Sequence, residues 1–145
     1  MKFPHSYKKL TEIFKKSGVP GINEFSGEYS VDMLSGLPSL KIFGHRKVFQ
    51  ARNGVKVSGY NVIFKNLAWG KFILQEGFCP EIDSLAVIEI NYNSSQNSFL
   101  TKPIFDQLRV VEEGKIYLGR FNYFLFGKLH FFGYFSLEKI KTEGL

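Results

Sequence analysis

An antiparallel β-barrel of about eight strands with an N-terminal α-helix is the fold that this sequence predicts. Three observations predict it. Apolar and polar residues alternate in short segments from Gly21 onward. Turn residues recur at intervals of about ten residues between those segments. Helical periodicity is confined to the N-terminal stretch, so the crossover helices of a parallel α/β fold are missing. The 145 residues suit a single domain over 1–145. A chain of that length buries roughly two thirds of its unfolded surface.

The helix is expected at residues 6–17. Ser6 supplies a cap, Tyr7, Leu10, Ile13 and Phe14 form one stripe, and Ser17-Gly18 followed by Pro20 stops it. It should pack over one end of the barrel. With Lys8, Lys9, Lys15 and Lys16 on its other faces, such a helix also suits transient contact with an anionic membrane.

The barrel is expected over 21–139. Tyr29, Val31 and Met33 alternate with Glu28, Ser30 and Asp32 as in a half-buried strand. Residues 40–50 form the next, closed by the hairpin signal Asn53-Gly54. In 55–65, Val55 and Val57 share one face while Tyr60, Val62 and Phe64 share the other. That change of parity predicts a bulge at Gly59. Residues 69–76 and 85–93 are further strands around a turn at 77–83. A polar loop at 93–97 leads to a short helical turn at 101–108, which holds Pro103. Residues 109–112, 115–126 and 128–138 complete the set, with a turn at Glu113-Gly114. In the last strand Leu129, Phe131, Phe135 and Leu137 should face one way, and His130, Ser136 and Glu138 the other.

Composition narrows the function classes. The 16 Phe and 7 Tyr either fill a core or line a cavity. The net charge of +6 is scattered apart from the lysines at the N-terminus, which fits a solvated face. Lys128 to Phe135 has the aromatic spacing of an RNA-binding strand but lacks the glycine after its basic residue, so no nucleic-acid partner is expected. Cys79 alone cannot build a disulfide framework. With no apolar run of spanning length and no leader pattern at the N-terminus, a cytoplasmic location is expected.

No catalytic motif is present: neither a nucleophile elbow nor a phosphate-binding glycine loop appears. His5, His45 and His130 lack zinc spacing, so no metal or other cofactor is expected. Haem ligation by a single histidine is the exception left open, with His130 as its candidate. Asp83, Asp106, Glu112 and Glu113 lie near expected turns, where acids are ordinarily solvated. Arg46 is the informative oddity. It shares parity with Leu40, Ile42 and Val48, which points it into the apolar interior to pair with a ligand carboxylate. A bulge at Gly44 would turn it to solvent instead. Arg120 repeats the pattern more weakly beside Ile116 and Leu118.

The order Gly27-Glu28-Tyr29, Trp69-Gly70-Lys71-Phe72, Asp106-Gln107-Leu108-Arg109, Leu118-Gly119-Arg120 and Tyr134-Phe135-Ser136-Leu137-Glu138-Lys139 resembles the lipocalin-like GXWXG family over residues 24–139. Tyr29 stands where the first motif of that family has Trp, and Val31 where it has its second Gly. These substitutions leave a neighbouring calycin family as the alternative. The resemblance implies a calycin barrel, a fold that in related families holds fatty acids, retinoids, pigments or haem. Its ligand does not transfer with the fold. The residues themselves offer Arg46, Tyr60, Tyr92, Tyr117 and Arg120 as polar anchors, with Tyr29 and Trp69 as walls. The expected function is therefore a non-enzymatic carrier or sensor that binds a small hydrophobic molecule inside the barrel. The alternatives are a calycin-fold enzyme that acts on a small organic acid through a Tyr–Arg pair, and an interaction domain whose barrel its own side chains fill.

Overall fold

Along Gly27–Met33 the side chains of Tyr29 and Val31 are buried while Glu28 and Ser30 are not, and this alternation begins a continuous meander. In a computed structural model describing residues 2–50 and 56–140, the strands are β1 (Gly27–Met33), β2 (Arg46–Gln50), β3 (Ser58–Ile63), β4 (Leu67–Cys79), β5 (Leu85–Asn91), β6 (Ile104–Glu112), β7 (Ile116–Leu125) and β8 (Lys128–Lys139). Each pairs antiparallel with the one before it, and β8 returns to β1 with Val31 opposite Leu137. The barrel is closed, which leaves no sheet edge unpaired. The expected fold class is the observed one. The Asn53-Gly54 turn lies outside the described residues.

The N-terminal helix, α1 (Tyr7–Lys16), starts where expected, with the Ser6 hydroxyl accepting from the Lys9 amide at 3.1 Å. Its position differs from expectation. It lies along the outer wall rather than over an end, with Leu10 and Phe14 buried against Cys79, Val87, Leu118 and Tyr134. The reason is that part of the wall is apolar on both faces: Tyr117 packs inside the barrel and Leu118 outside it. Arg109 fastens the helix. Its guanidinium donates to the carbonyls of Phe14 at 3.2 Å, Ala86 at 2.7 Å and Ser17. Two of those are carbonyls that the end of a helix leaves unpaired.

Four local expectations are corrected. Residues 40–50 are not one strand, because Lys41–Phe43 forms a 3-10 turn that ends at Gly44 with a φ of 71°. Parity counted from Leu40 therefore does not reach β2. In β3 there is no change of face: Val57, Gly59 and Asn61 all point inward and Tyr60 points out. The irregularity sits on β4 instead, where Gly70 and Lys71 together oppose Tyr60 and Gly70 has a φ of 61°. Gly59 has another role, since the Phe72 ring lies directly across its backbone. In β8, Phe132 is an extra residue between the pairs Phe121–Gly133 and Asn122–Phe131. It puts Phe131 on the outer face, while Phe135 and Leu137 stay inside. Finally, 101–108 is a turn only as far as Pro103 and joins β6 at Ile104.

The interior has two unlike halves. At the end that holds the β6–β7 turn, Phe25 enters after a 3-10 turn at Ile22–Glu24 and packs its ring, tilted, against Tyr117 at 4.6 Å and Phe49 at 5.2 Å. Tyr29 closes against the same rings at 5.4 and 5.7 Å. The Tyr117 hydroxyl donates to Glu24 at 2.6 Å. This half is solid. The opposite half is not.

Candidate ligand-binding site

Four inward positions on neighbouring strands carry polar side chains in the open half: Lys47 on β2, Asn61 on β3, Tyr92 just after β5 and Asp106 on β6. All four are buried. The Lys47 ammonium donates to the Tyr92 hydroxyl at 2.5 Å and to the Asn61 carbonyl at 2.8 Å, and stands 3.7 Å from Oδ2 of Asp106. Asn61 donates onward to the Gly70 carbonyl at 3.2 Å and the Tyr92 hydroxyl at 3.0 Å. His45 donates from Nε2 to the Asn61 carbonyl at 3.1 Å and stacks on the Trp69 ring. The ammonium also lies 5.2 to 5.8 Å from the ring centres of Tyr92, Phe72 and Phe135. Rings at that distance stabilise a cation removed from water.

Above this floor is a cavity of about 180 Å³, with an apolar wall that includes Val31, Met33, Ile104, Phe121 and Phe135. Leu37, Pro38 and Leu40 of the loop between β1 and β2 stand at its opening. Burial shifts the ionisations on the floor. It pushes the Asp106 carboxyl up to about 6, a rise that the nearby Lys47 only partly offsets. Burial lowers the Lys47 ammonium and raises the Tyr92 phenol well above its ordinary value. Burial and then the Lys47 charge hold the His45 imidazole down to about 4, so it is neutral at physiological pH.

Two residues that line the cavity each carry a buried polar atom with no partner among the described residues: Oδ1 of Asp106 and Nε1 of Trp69. Buried polar atoms are almost always hydrogen-bonded, so an orphaned acceptor and an orphaned donor at one cavity are informative. The site can accept a hydrogen bond at Asp106 and donate from Trp69, within an otherwise apolar wall.

Of the residues singled out from the sequence, Tyr92 and Trp69 line this cavity, whereas Tyr29 and Tyr117 lie deeper, in the solid half. Arg46 does not enter the barrel. It reaches Glu28 at 3.2 Å and the carbonyls of Phe64 and Lys65 on the outside, because the turn before β2 resets its parity. Tyr60 faces out for the reason given above. Arg120 is buried, but beneath α1, where it donates to Tyr134 and Glu81 at 2.7 Å and lies 4.0 Å above the Phe131 ring. A Tyr60–Arg46 pair inside the barrel is therefore excluded by position. Lys47, Asn61 and Asp106 were missed. An expected turn hid Asp106, and Lys47 and Asn61 stand next to apolar residues that drew the inward parity to themselves. His130 is exposed near the start of β8.

No protein-family model, curated protein or solved structure matches the chain. Among the described residues, no cluster of three His, Cys, Asp or Glu side chains is placed to hold a metal ion, and no helix is long and apolar enough to cross a membrane. A wider hollow of about 480 Å³ lies on the outside of β3 and β4, bordered by Tyr60, Lys71 and Gln96. It contains none of the buried titratable groups.

Proposed function

We propose that this protein is a non-enzymatic carrier or sensor of a small amphiphile, which enters the open half of the barrel with its polar head first. One observation carries the reading: the unpartnered Oδ1 of Asp106, buried beside Lys47 at the floor of an apolar cavity. A head group that both donates and accepts, such as a protonated carboxyl, a phenol or an alcohol, would satisfy Asp106 and receive a hydrogen bond in return. Size narrows the ligand further. An apolar cavity of about 150 Å³ holds a benzene ring. The 180 Å³ here therefore suits one ring or a short chain, with any longer tail leaving between Leu37 and Leu40. A fatty-acid-like ligand fits in that manner, whereas a retinoid or pigment would extend well beyond the cavity. The resemblance to the lipocalin-like GXWXG family agrees with this reading.

Native mass spectrometry and thermal shift against short- and medium-chain carboxylic acids, alcohols and alkylphenols test it. We expect saturable stabilisation by at least one class, lost in Lys47→Met and Asp106→Leu. No shift across the panel, together with a ligand-free mass after mild purification, would refute it.

A further inference from the structure

Four loops encircle the mouth of the barrel: 34–45, 64–66, 92–103 and 126–127. They form one rim. The Phe64 amide donates to the Phe43 carbonyl at 2.7 Å, and the Phe124 amide to the Pro103 carbonyl at 3.0 Å. Each loop presents an apolar side chain to solvent with a lysine close by: Ile42 with Lys41, Phe64 with Lys65, Leu100 with Lys102, and Phe126 with Lys128. Ile42 is 84% exposed and Phe126 fully so, at 101%. Among the described residues, every large exposed apolar side chain except Tyr7, Val19 and Phe78 lies at this rim or just below it. Exposed patches of that kind mark interaction sites.

The charge of the loops runs in the same direction, with Asp32 near the end of β1 the acid that reaches them, 3.9 Å from Lys41. The four rim loops contain no aspartate or glutamate. Glu24, Glu81, Asp83 and Glu113 belong to connections at the other end, and Glu112 closes β6 there. The backbone adds an independent sign. Phe64 and Phe126 occupy turn positions with φ of 60° and 53°, where Gly or Asn is the ordinary choice. A bulky residue in a strained turn position points to a use for its side chain.

We infer that the rim docks the barrel mouth-down on an anionic phospholipid surface, with the apolar tips among the acyl chains and the lysines at the phosphates. The shape favours a bilayer over a protein groove. The apolar tips come from four separate loops around the whole circumference, and only a broad, nearly flat partner meets all four. The lysines supply the charge complement, since anionic headgroups attract juxtaposed lysines. Insertion stops at the loops, because the wall beneath them carries the Arg46–Glu28 ion pair. The contact does not use α1, whose Leu10 and Phe14 are already buried on the barrel. The opening at Leu37 and Leu40 then faces the lipid.

Flotation of the full chain with phosphatidylcholine vesicles, with and without phosphatidylserine, tests the inference. The wild-type protein should bind the serine-containing vesicles and release as salt rises. Ile42→Ser with Phe126→Ser should weaken partitioning at least about ten-fold, since each removes an apolar side chain from lipid. Circular dichroism of that variant should be unchanged, both side chains being exposed. Lys41→Glu with Lys128→Glu should abolish the preference for phosphatidylserine. The serine variant should keep whatever ligand-induced thermal shift the wild type shows, since neither Ile42 nor Phe126 lines the cavity, which separates this inference from the ligand reading. The inference is overturned if the wild type binds neither vesicle, if the serine variant floats undiminished, or if the rim changes alter only self-association in sedimentation equilibrium.

Discussion

The ammonium of Lys47 and the carboxylate of Asp106 face each other at 3.7 Å inside the barrel, both almost wholly buried. Two consequences for stability follow from the cost of a charge left without its partner. Lys47→Met should destabilise the fold by about 3–5 kcal/mol in urea denaturation near pH 8, because Asp106 is then buried and uncompensated. Lys47→Met combined with Asp106→Leu should recover most of that loss. A double variant as unstable as the single one would show that the pair is not the reason.

His45 predicts a pH dependence. Its imidazole is held to about 4 in the folded protein against an ordinary 6.5. As pH falls below 6.5 the unfolded chain takes up a proton that the folded chain refuses, so stability is lost until about pH 4. Asp106 acts in the opposite sense, because its folded carboxyl protonates near 6, before the unfolded one does. His45→Gln should therefore gain on wild type by about 1.4 kcal/mol per pH unit as the solution is acidified across that window. Denaturant titrations at several pH values measure the difference, and a constant offset would count against the assignment.

Arg109 predicts a local event. In Arg109→Met the carbonyls of Phe14, Ser17 and Ala86 lose their donor. We expect a loss of about 3 kcal/mol, with amide exchange in α1 rising before exchange in the barrel does. Uniform acceleration across all elements would mean that the clamp is part of the barrel's own cooperativity.

Glycines under aromatic rings make a contrasting pair. The nearest atoms that a Cβ at Gly119 would meet all belong to the Phe135 ring, whereas one at Gly59 would meet both the Phe72 ring and the Val48 carbonyl. Each change to Ala should cost about 1–3 kcal/mol. Trimming Phe135 to Leu should partly relieve Gly119→Ala. Trimming Phe72 to Leu should do little for Gly59→Ala, because the backbone oxygen remains. Equal relief in both double variants would contradict the geometry.

Much of the barrel was legible because alternation is a property of the apolar residues, and Tyr29, Val31, Ile88, Ile90, Phe135 and Leu137 display it plainly. The helix was legible from its cap and stripe, though not its berth, which depends on outer-face residues such as Leu118. The binding site was legible least. Its working groups are polar side chains at inward positions, and a hydrophobic pattern assigns such residues to the outside. Lys47 lies between Arg46 and Val48, and the inward parity was counted across Gly44, where the chain turns through a left-handed conformation. Asp106 follows Pro103 so closely that the sequence around it predicts a turn.

Arg109 also bears on the order in which the molecule assembles. Its bond to the Phe14 carbonyl spans 95 residues of sequence, and β1 finds its second partner only when β8 exists. The first helix and the first strand thus wait for the last third of the chain before either is held. Contacts so distant in sequence slow folding, since a long loop must close before they form. Ribosome-bound chains cut short before β6 should therefore carry α1 undocked, whereas chains cut short before β8 should hold Arg109 but leave the barrel open.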